Sequence, residues 1–118
     1  MKKFYCYPRC STCKKAQKWL EDKGVEFESI DIVKNPPTKE ELLVWLTASD
    51  KPLRYFFNTS GQSYRNLGLK DKIKNLTKKQ ASALLASDGK LIKRPLMVEG
   101  QKLTCVFNEE IYQSSWTN

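Results

Sequence analysis

The chain has 118 residues, 40% of them hydrophobic and 29% charged, with a net charge of +8, the profile of one globular domain rather than two. No apolar run approaches the ~18 residues of a membrane span, and the basic opening Met1 to Cys10 lacks the apolar centre of a secretory signal; the expected address is the cytoplasm. Histidine is absent, which excludes Ser-His-Asp and Cys-His catalysis and imidazole metal sites and leaves thiols as the strongest remaining chemistry.

Lys2 to Tyr7 alternates as a strand does, with Phe4 and Cys6 on one face and Tyr5 and Tyr7 on the other, until Pro8 stops it. From Ser11 to Lys23, Cys13, Ala16 and Leu20 fall at helical spacing with lysines on the other face, and Gly24 closes the helix. Val25 to Val33 returns as a strand before Asn35-Pro36-Pro37 breaks the chain. Connections this short favour parallel strands joined by a right-handed crossover.

The middle reads as helical. Thr38-Lys39-Glu40-Glu41 matches a capping box ahead of Leu42, Leu43 and Leu46. Pro52 to Phe57 is expected to form a short helix turning Leu53, Tyr55, Phe56 and Phe57 inward, and Asn58 to Asn75 a loop with a helical turn. Thr77-Lys78-Lys79-Gln80 is a second capping box, opening a helix with Ala81, Leu84 and Leu85 that ends near Asp88-Gly89. Lys70, Lys72, Lys74, Lys78 and Lys79, set against Asp71, carry half the net charge. This stretch reads first as a solvated face, with an acidic partner as the alternative. It holds no aromatic residue for base stacking and no binding motif, so direct nucleic-acid contact is not expected.

Leu96–Glu99 and Lys102–Phe107, separated by Gly100-Gln101, read as an antiparallel hairpin. Asn108 then caps a terminal helix from Glu109, with Ile111, Tyr112 and Trp116 as its inner residues. The order predicts an α/β structure with a mixed four-stranded sheet.

Cys10-Ser11-Thr12-Cys13 is a C-x-x-C between a strand and the opening of a helix. Two cysteines one helical turn apart approach disulfide distance with little backbone movement. At the helix N-terminus, unpaired backbone N–H groups and the helix dipole favour a thiolate at Cys10, while Cys13 is placed to attack a mixed disulfide formed there. The competing reading is a zinc site. Cys6, Cys10, Cys13 and Cys105 are numerically enough, but Cys6 and Cys105 lie in strand patterns rather than in a second knuckle, so no metal is expected and both read as buried small hydrophobes. Lys93-Arg94-Pro95 stands just before the hairpin, where Pro95 fits the first residue of a strand and Arg94, on its own, reads as a surface charge.

Cys10-Ser11-Thr12-Cys13-Lys14-Lys15-Ala16, Tyr64-Arg65-Asn66-Leu67-Gly68-Leu69 and Lys93-Arg94-Pro95 together resemble the arsenate reductase (ArsC)/Spx family, in order and spacing, over essentially the whole chain. The resemblance is strongest to the small arsenate reductase-like and Spx/MgsR-like members. It implies a single thioredoxin-like (glutaredoxin-like) domain over 1–118, with a helical insertion at about 36–90. It also implies that Pro95 is a cis-proline facing the redox cysteine and that Arg94 is an anion-binding group.

Two departures from the resembled families stand out. Glutaredoxin-linked arsenate reductases carry a single cysteine in this loop, a serine where Cys13 stands, and three arginines around the cysteine. By the resemblance, two of these would fall near Asn58 and near Val106 and the third at Arg94, so only one guanidinium is kept; Arg9 and Arg65 are candidates to compensate. Spx regulators carry the C-x-x-C and contact the RNA polymerase α subunit through a face with a glycine, where Asp50 stands here. The expected function is thiol-dependent reduction of a disulfide or small oxidised substrate. Cys10 would attack, Cys13 resolve, Ser11, Thr12, Arg94 and Pro95 form the substrate-binding surroundings, and thioredoxin, glutaredoxin or glutathione act as reductant. The alternative is a redox-sensing regulator that binds RNA polymerase.

Overall fold

A computed structural model describes residues 2–117 of the chain. The elements run β1 (Lys2–Cys6), α1 (Ser11–Asp22), β2 (Phe27–Asp31), α2 (Lys39–Ala48), α3 (Gln62–Asn66) and α4 (Leu69–Lys72). They continue with α5 (Lys78–Ser87), β3 (Leu96–Glu99), β4 (Lys102–Thr104) and α6 (Glu109–Trp116). Two compact units result, one built from residues 1–31 and 94–118 and the other from Ile32–Lys93.

The first unit holds the mixed sheet, in the order β2-β1-β3-β4. β1 and β2 pair in parallel, with Lys2 opposite Phe27 and Cys6 opposite Asp31, as their short helical connection requires. β3 runs antiparallel to both β1 and β4. Strand alternation puts Phe4 and Cys6 on the face that α1 covers with Cys13, Ala16 and Leu20, and Met97, Tyr112 and Trp116 complete this buried cluster. Gly24 ends α1 at φ +70°, a conformation that costs other residues about 1 kcal/mol.

The terminal segment departs from expectation in two places. β4 stops at Thr104, and Phe107 leaves the sheet to pack its ring edge-on against Trp19 and Tyr112. α6 is capped by the Asn108 side chain, which accepts from the Ile111 amide at 3.1 Å. Tyr112 and Trp116, four apart, take the inner face, which turns Ile111 outward at 41% exposure.

The second unit is helical. Both capping boxes form: Thr38 exchanges hydrogen bonds with Glu41 at the start of α2, and Thr77 with Gln80 at the start of α5. Pro52 to Phe57 condenses to a single 3-10 turn, Leu53–Phe56, with Phe56 and Phe57 buried and Leu53 and Tyr55 only half-buried. The Asn58 to Asn75 segment is more ordered than its turn-rich composition suggests. Gly68, at φ +61°, swings the chain from α3 to α4, and Tyr64 and Leu69 are buried, with Tyr64 edge-on to Phe57. Gly89 marks the tightest backbone approach, since a β-carbon there would stand 1.9 Å from the Ile32 carbonyl oxygen.

Candidate functional site

β1 runs through Tyr7 and Pro8 into α1, and this short loop brings the thiol residues together. Cys10 is the N-cap of α1, with extended backbone; its amide donates to the Tyr7 carbonyl at 2.9 Å, and its own carbonyl accepts from the Lys14 amide. No side chain caps this helix end. The first amides of α1, those of Ser11 and Thr12 among them, have no carbonyl four residues back within the helix. Ser11 and Thr12 are exposed, and Cys10 is half-buried against the core cluster.

The structure pairs Cys13 with Cys6, not with Cys10. The two are joined by a disulfide with their Cα atoms 5.7 Å apart, inside the ordinary range. Cys10 and Cys105 lie outside it. This corrects two sequence expectations: the local Cys10–Cys13 bridge is not the one formed, and Cys6 is no mere hydrophobe. The reason lies in the packing. Cys6 shares the inward face of β1 with Phe4, Cys13 shares the inward stripe of α1 with Ala16 and Leu20, and those faces meet. Cys10 stands at the cap, outside the helix proper, and packs half-buried against the edge of the same cluster. Cys105 is fully buried. Among the described residues, no group of three or more cysteine or carboxylate side chains is placed to hold a metal ion.

The disulfide is 3–7% exposed by residue, yet it borders a cavity of about 300 Å3 whose other walls include Lys14, Gln17, Ser29 and Asp31. The Tyr7 amide donates to Cys13 Sγ at 3.4 Å. A backbone N–H aimed at a sulfur stabilises negative charge there, so Cys13 is the better leaving group of the pair.

Arg94 and Pro95 enter this region from the start of β3. The Arg94–Pro95 peptide is cis, as the resemblance implied. The pairing of β1 with β3 ends at Tyr5 opposite Leu96, which leaves Arg94 and Pro95 just outside the strand. Arg94 reaches Tyr7, its guanidinium carbon lying 5.1 Å from the ring centroid. Its Nη1 is buried without a hydrogen-bond partner. Arg94 is therefore not a simple surface charge, which sequence position alone could not reveal. Arg65, a candidate to compensate for missing arginines, is engaged within its own unit by the Ser60 carbonyl at 2.9 Å and Gln62 Oε1 at 3.1 Å. Arg9 is exposed.

A parallel strand-helix-strand half, an antiparallel hairpin with a cis-proline at its entry, and cysteines where the first strand meets its helix define a thiol-based protein of thioredoxin-like fold. The chain belongs to the ArsC family, whose model matches residues 5–115. Among its relatives is an uncharacterized Bacillus subtilis protein, YusI, 49% identical over 96% of each chain. The regulatory protein MgsR of the same organism is 32% identical, over 89% of this chain and 82% of its own. Among solved structures, "a possible arsenate reductase" from Streptococcus mutans UA159 superimposes with a TM-score of 0.91. It is 49% identical and covers 97% of this chain and 96% of its own. Among the described residues, no helix is long and apolar enough to cross a membrane.

Proposed function

We propose that the chain is a thiol-dependent oxidoreductase of the arsenate reductase-like kind. The observation that carries this reading is the Cys10 thiol, half-buried at the N-cap of α1 and outside the disulfide behind it. Cys10 attacks one sulfur of a substrate disulfide, or a small oxidised acceptor, and the first product leaves as the Cys10–substrate bond forms. Cys13, when reduced, attacks Cys10 and releases the second product. Ser11 and Thr12 supply amides toward the reacting anion. The unpartnered Arg94 Nη1, with Pro95 fixing the turn into β3, supplies a charged donor for an anionic substrate or a glutathione carboxylate. Thioredoxin, glutaredoxin or glutathione regenerates the dithiol in the cytoplasm. The test is a reductase assay offering arsenate or a model disulfide, with thioredoxin and glutaredoxin regeneration run separately. Disulfide turnover with at least one reductant is expected; none with either overturns the proposal.

A second reading is favoured by the similarity to MgsR, a regulatory protein. In it, the thiol state toggles a surface that engages the RNA polymerase α subunit. Stable, redox-dependent capture of that subunit without turnover would select it.

A further inference from the structure

Cys13 has two cysteine neighbours of different kinds. Cys10, the N-cap of α1, precedes it by three residues and packs against the buried cluster that holds it. Cys6 meets it across the sheet–helix contact, where the disulfide is made. Both flanking cysteines touch the same buried cluster, yet they differ in access. Cys6 and Cys13 border the cavity lined by Lys14, Gln17, Ser29 and Asp31, whereas Cys10 is not part of its wall.

We propose that the three cysteines form a relay in which Cys10 is the substrate-facing thiol and Cys6–Cys13 the resting disulfide, reopened by a thiol reductant entering the cavity. The proposal rests on the reading of Cys10 as the attacking thiol. Starting from three reduced cysteines, the Cys10 thiolate attacks a substrate disulfide, forming a Cys10 mixed disulfide and releasing one substrate thiolate. The Cys13 thiolate attacks Cys10 Sγ, forming Cys10–Cys13 and releasing the second. The Cys6 thiolate then attacks Cys13 Sγ, which forms Cys6–Cys13 and expels Cys10 as a thiolate ready for another substrate. The substrate disulfide has gained two electrons, and the Cys6/Cys13 dithiol has supplied them. A dithiol reductant, or two molecules of a monothiol, reverses the last oxidation. Its thiolate attacks Cys6 Sγ, because the Tyr7 amide stabilises the Cys13 thiolate that leaves; a second thiolate then frees Cys6. Cys10 is not part of this cavity's wall, so reductant and substrate meet different thiols.

The test is a single turnover. The fully reduced chain is mixed with one equivalent of a small aromatic disulfide, without reductant, then alkylated under denaturing conditions and mapped by peptide mass spectrometry. The relay predicts release of two aromatic thiols per chain, alkylation at Cys10 and Cys105, and a disulfide-linked peptide joining Cys6 to Cys13. Cys6→Ser still releases two thiols but stops at Cys10–Cys13. A parent chain that ends as Cys10–Cys13 with Cys6 alkylated overturns the relay and leaves Cys10 as the attacking thiol. Undiminished thiol release from Cys10→Ser overturns the attacking role of Cys10, and the relay with it. The parent mapping uses the unmodified chain, so neither outcome depends on a variant folding.

Discussion

Arg94 lies across the ring of Tyr7, its guanidinium carbon 5.1 Å from the ring centre, while its Nη1 is buried without a hydrogen-bond acceptor. The ring holds the guanidinium by a cation–π contact that uses no N–H group. The contact therefore leaves Nη1 without an acceptor, and the Tyr7 backbone amide is directed at Cys13 Sγ. One residue thus couples the candidate anion donor to the thiol loop.

Arg94→Ala is expected to raise the KM for a carboxylate-bearing disulfide about tenfold relative to a neutral one, equivalent to about 1.4 kcal/mol for one charged hydrogen bond. The check is steady-state kinetics with the two disulfides side by side. Equal loss on both would assign Arg94 a structural role instead.

Arsenate should be a poor substrate. The resemblance puts two of the three arginines of the glutaredoxin-linked reductases near Asn58 and Val106, which leaves Arg94. Each missing charge-assisted bond removes about 1.5–3 kcal/mol, so binding weakens by roughly two orders of magnitude or more. Arsenate reduction at micromolar substrate is expected to be weak or absent while a model disulfide turns over. Strong micromolar turnover, lost on Arg94→Ala, would show that Arg9 or Arg65 replaces the missing groups.

The disulfide should contribute to stability as well as chemistry. Cys6 and Cys13 are seven residues apart, and closing a loop of that size in the unfolded chain corresponds to about 2 kcal/mol. Urea unfolding with and without a non-thiol reductant measures it; an unchanged midpoint would contradict the expectation.

Two glycines separate backbone conformation from close packing. Gly24→Ala, in open space at φ +70°, should cost about 1 kcal/mol. Gly89→Ala must push a methyl into the Ile32 carbonyl oxygen, and should cost about 3 kcal/mol or more through displaced backbone. Thermal unfolding of the pair gives the ranking, and a Gly89→Ala chain as stable as Gly24→Ala would refute the close approach.

Sequence patterns revealed those features whose signals are local. The alternation of Phe4 and Cys6, the stripe Cys13, Ala16 and Leu20, the two capping boxes and the hairpin at Gly100 all formed where expected. Of α3 and α4 only a helical turn was legible, because five and four residues are too few to display a helical period and the surrounding Asn58, Ser60, Gly61 and Gly68 read as turns. β4 ends at Thr104, short of the Phe107 its apolar pattern suggests, because Phe107 suits either a strand or the aromatic contact with Trp19 that it makes. At the site, C-x-x-C spacing drew attention to the helix turn, whereas the Cys6–Cys13 contact depends on how one face meets another. Both inward faces could be read from the sequence; their relative placement is a tertiary fact.

The most direct measurement on the central claim is a trapping experiment with the reduced Cys13→Ser chain, which keeps the attacking thiol and removes the resolving one. Mixed with a small disulfide under native conditions, it should accumulate a single adduct, and peptide mapping should find it on Cys10. An adduct on Cys6, or no adduct at all, would contradict the assignment of Cys10 as the thiol that meets substrate.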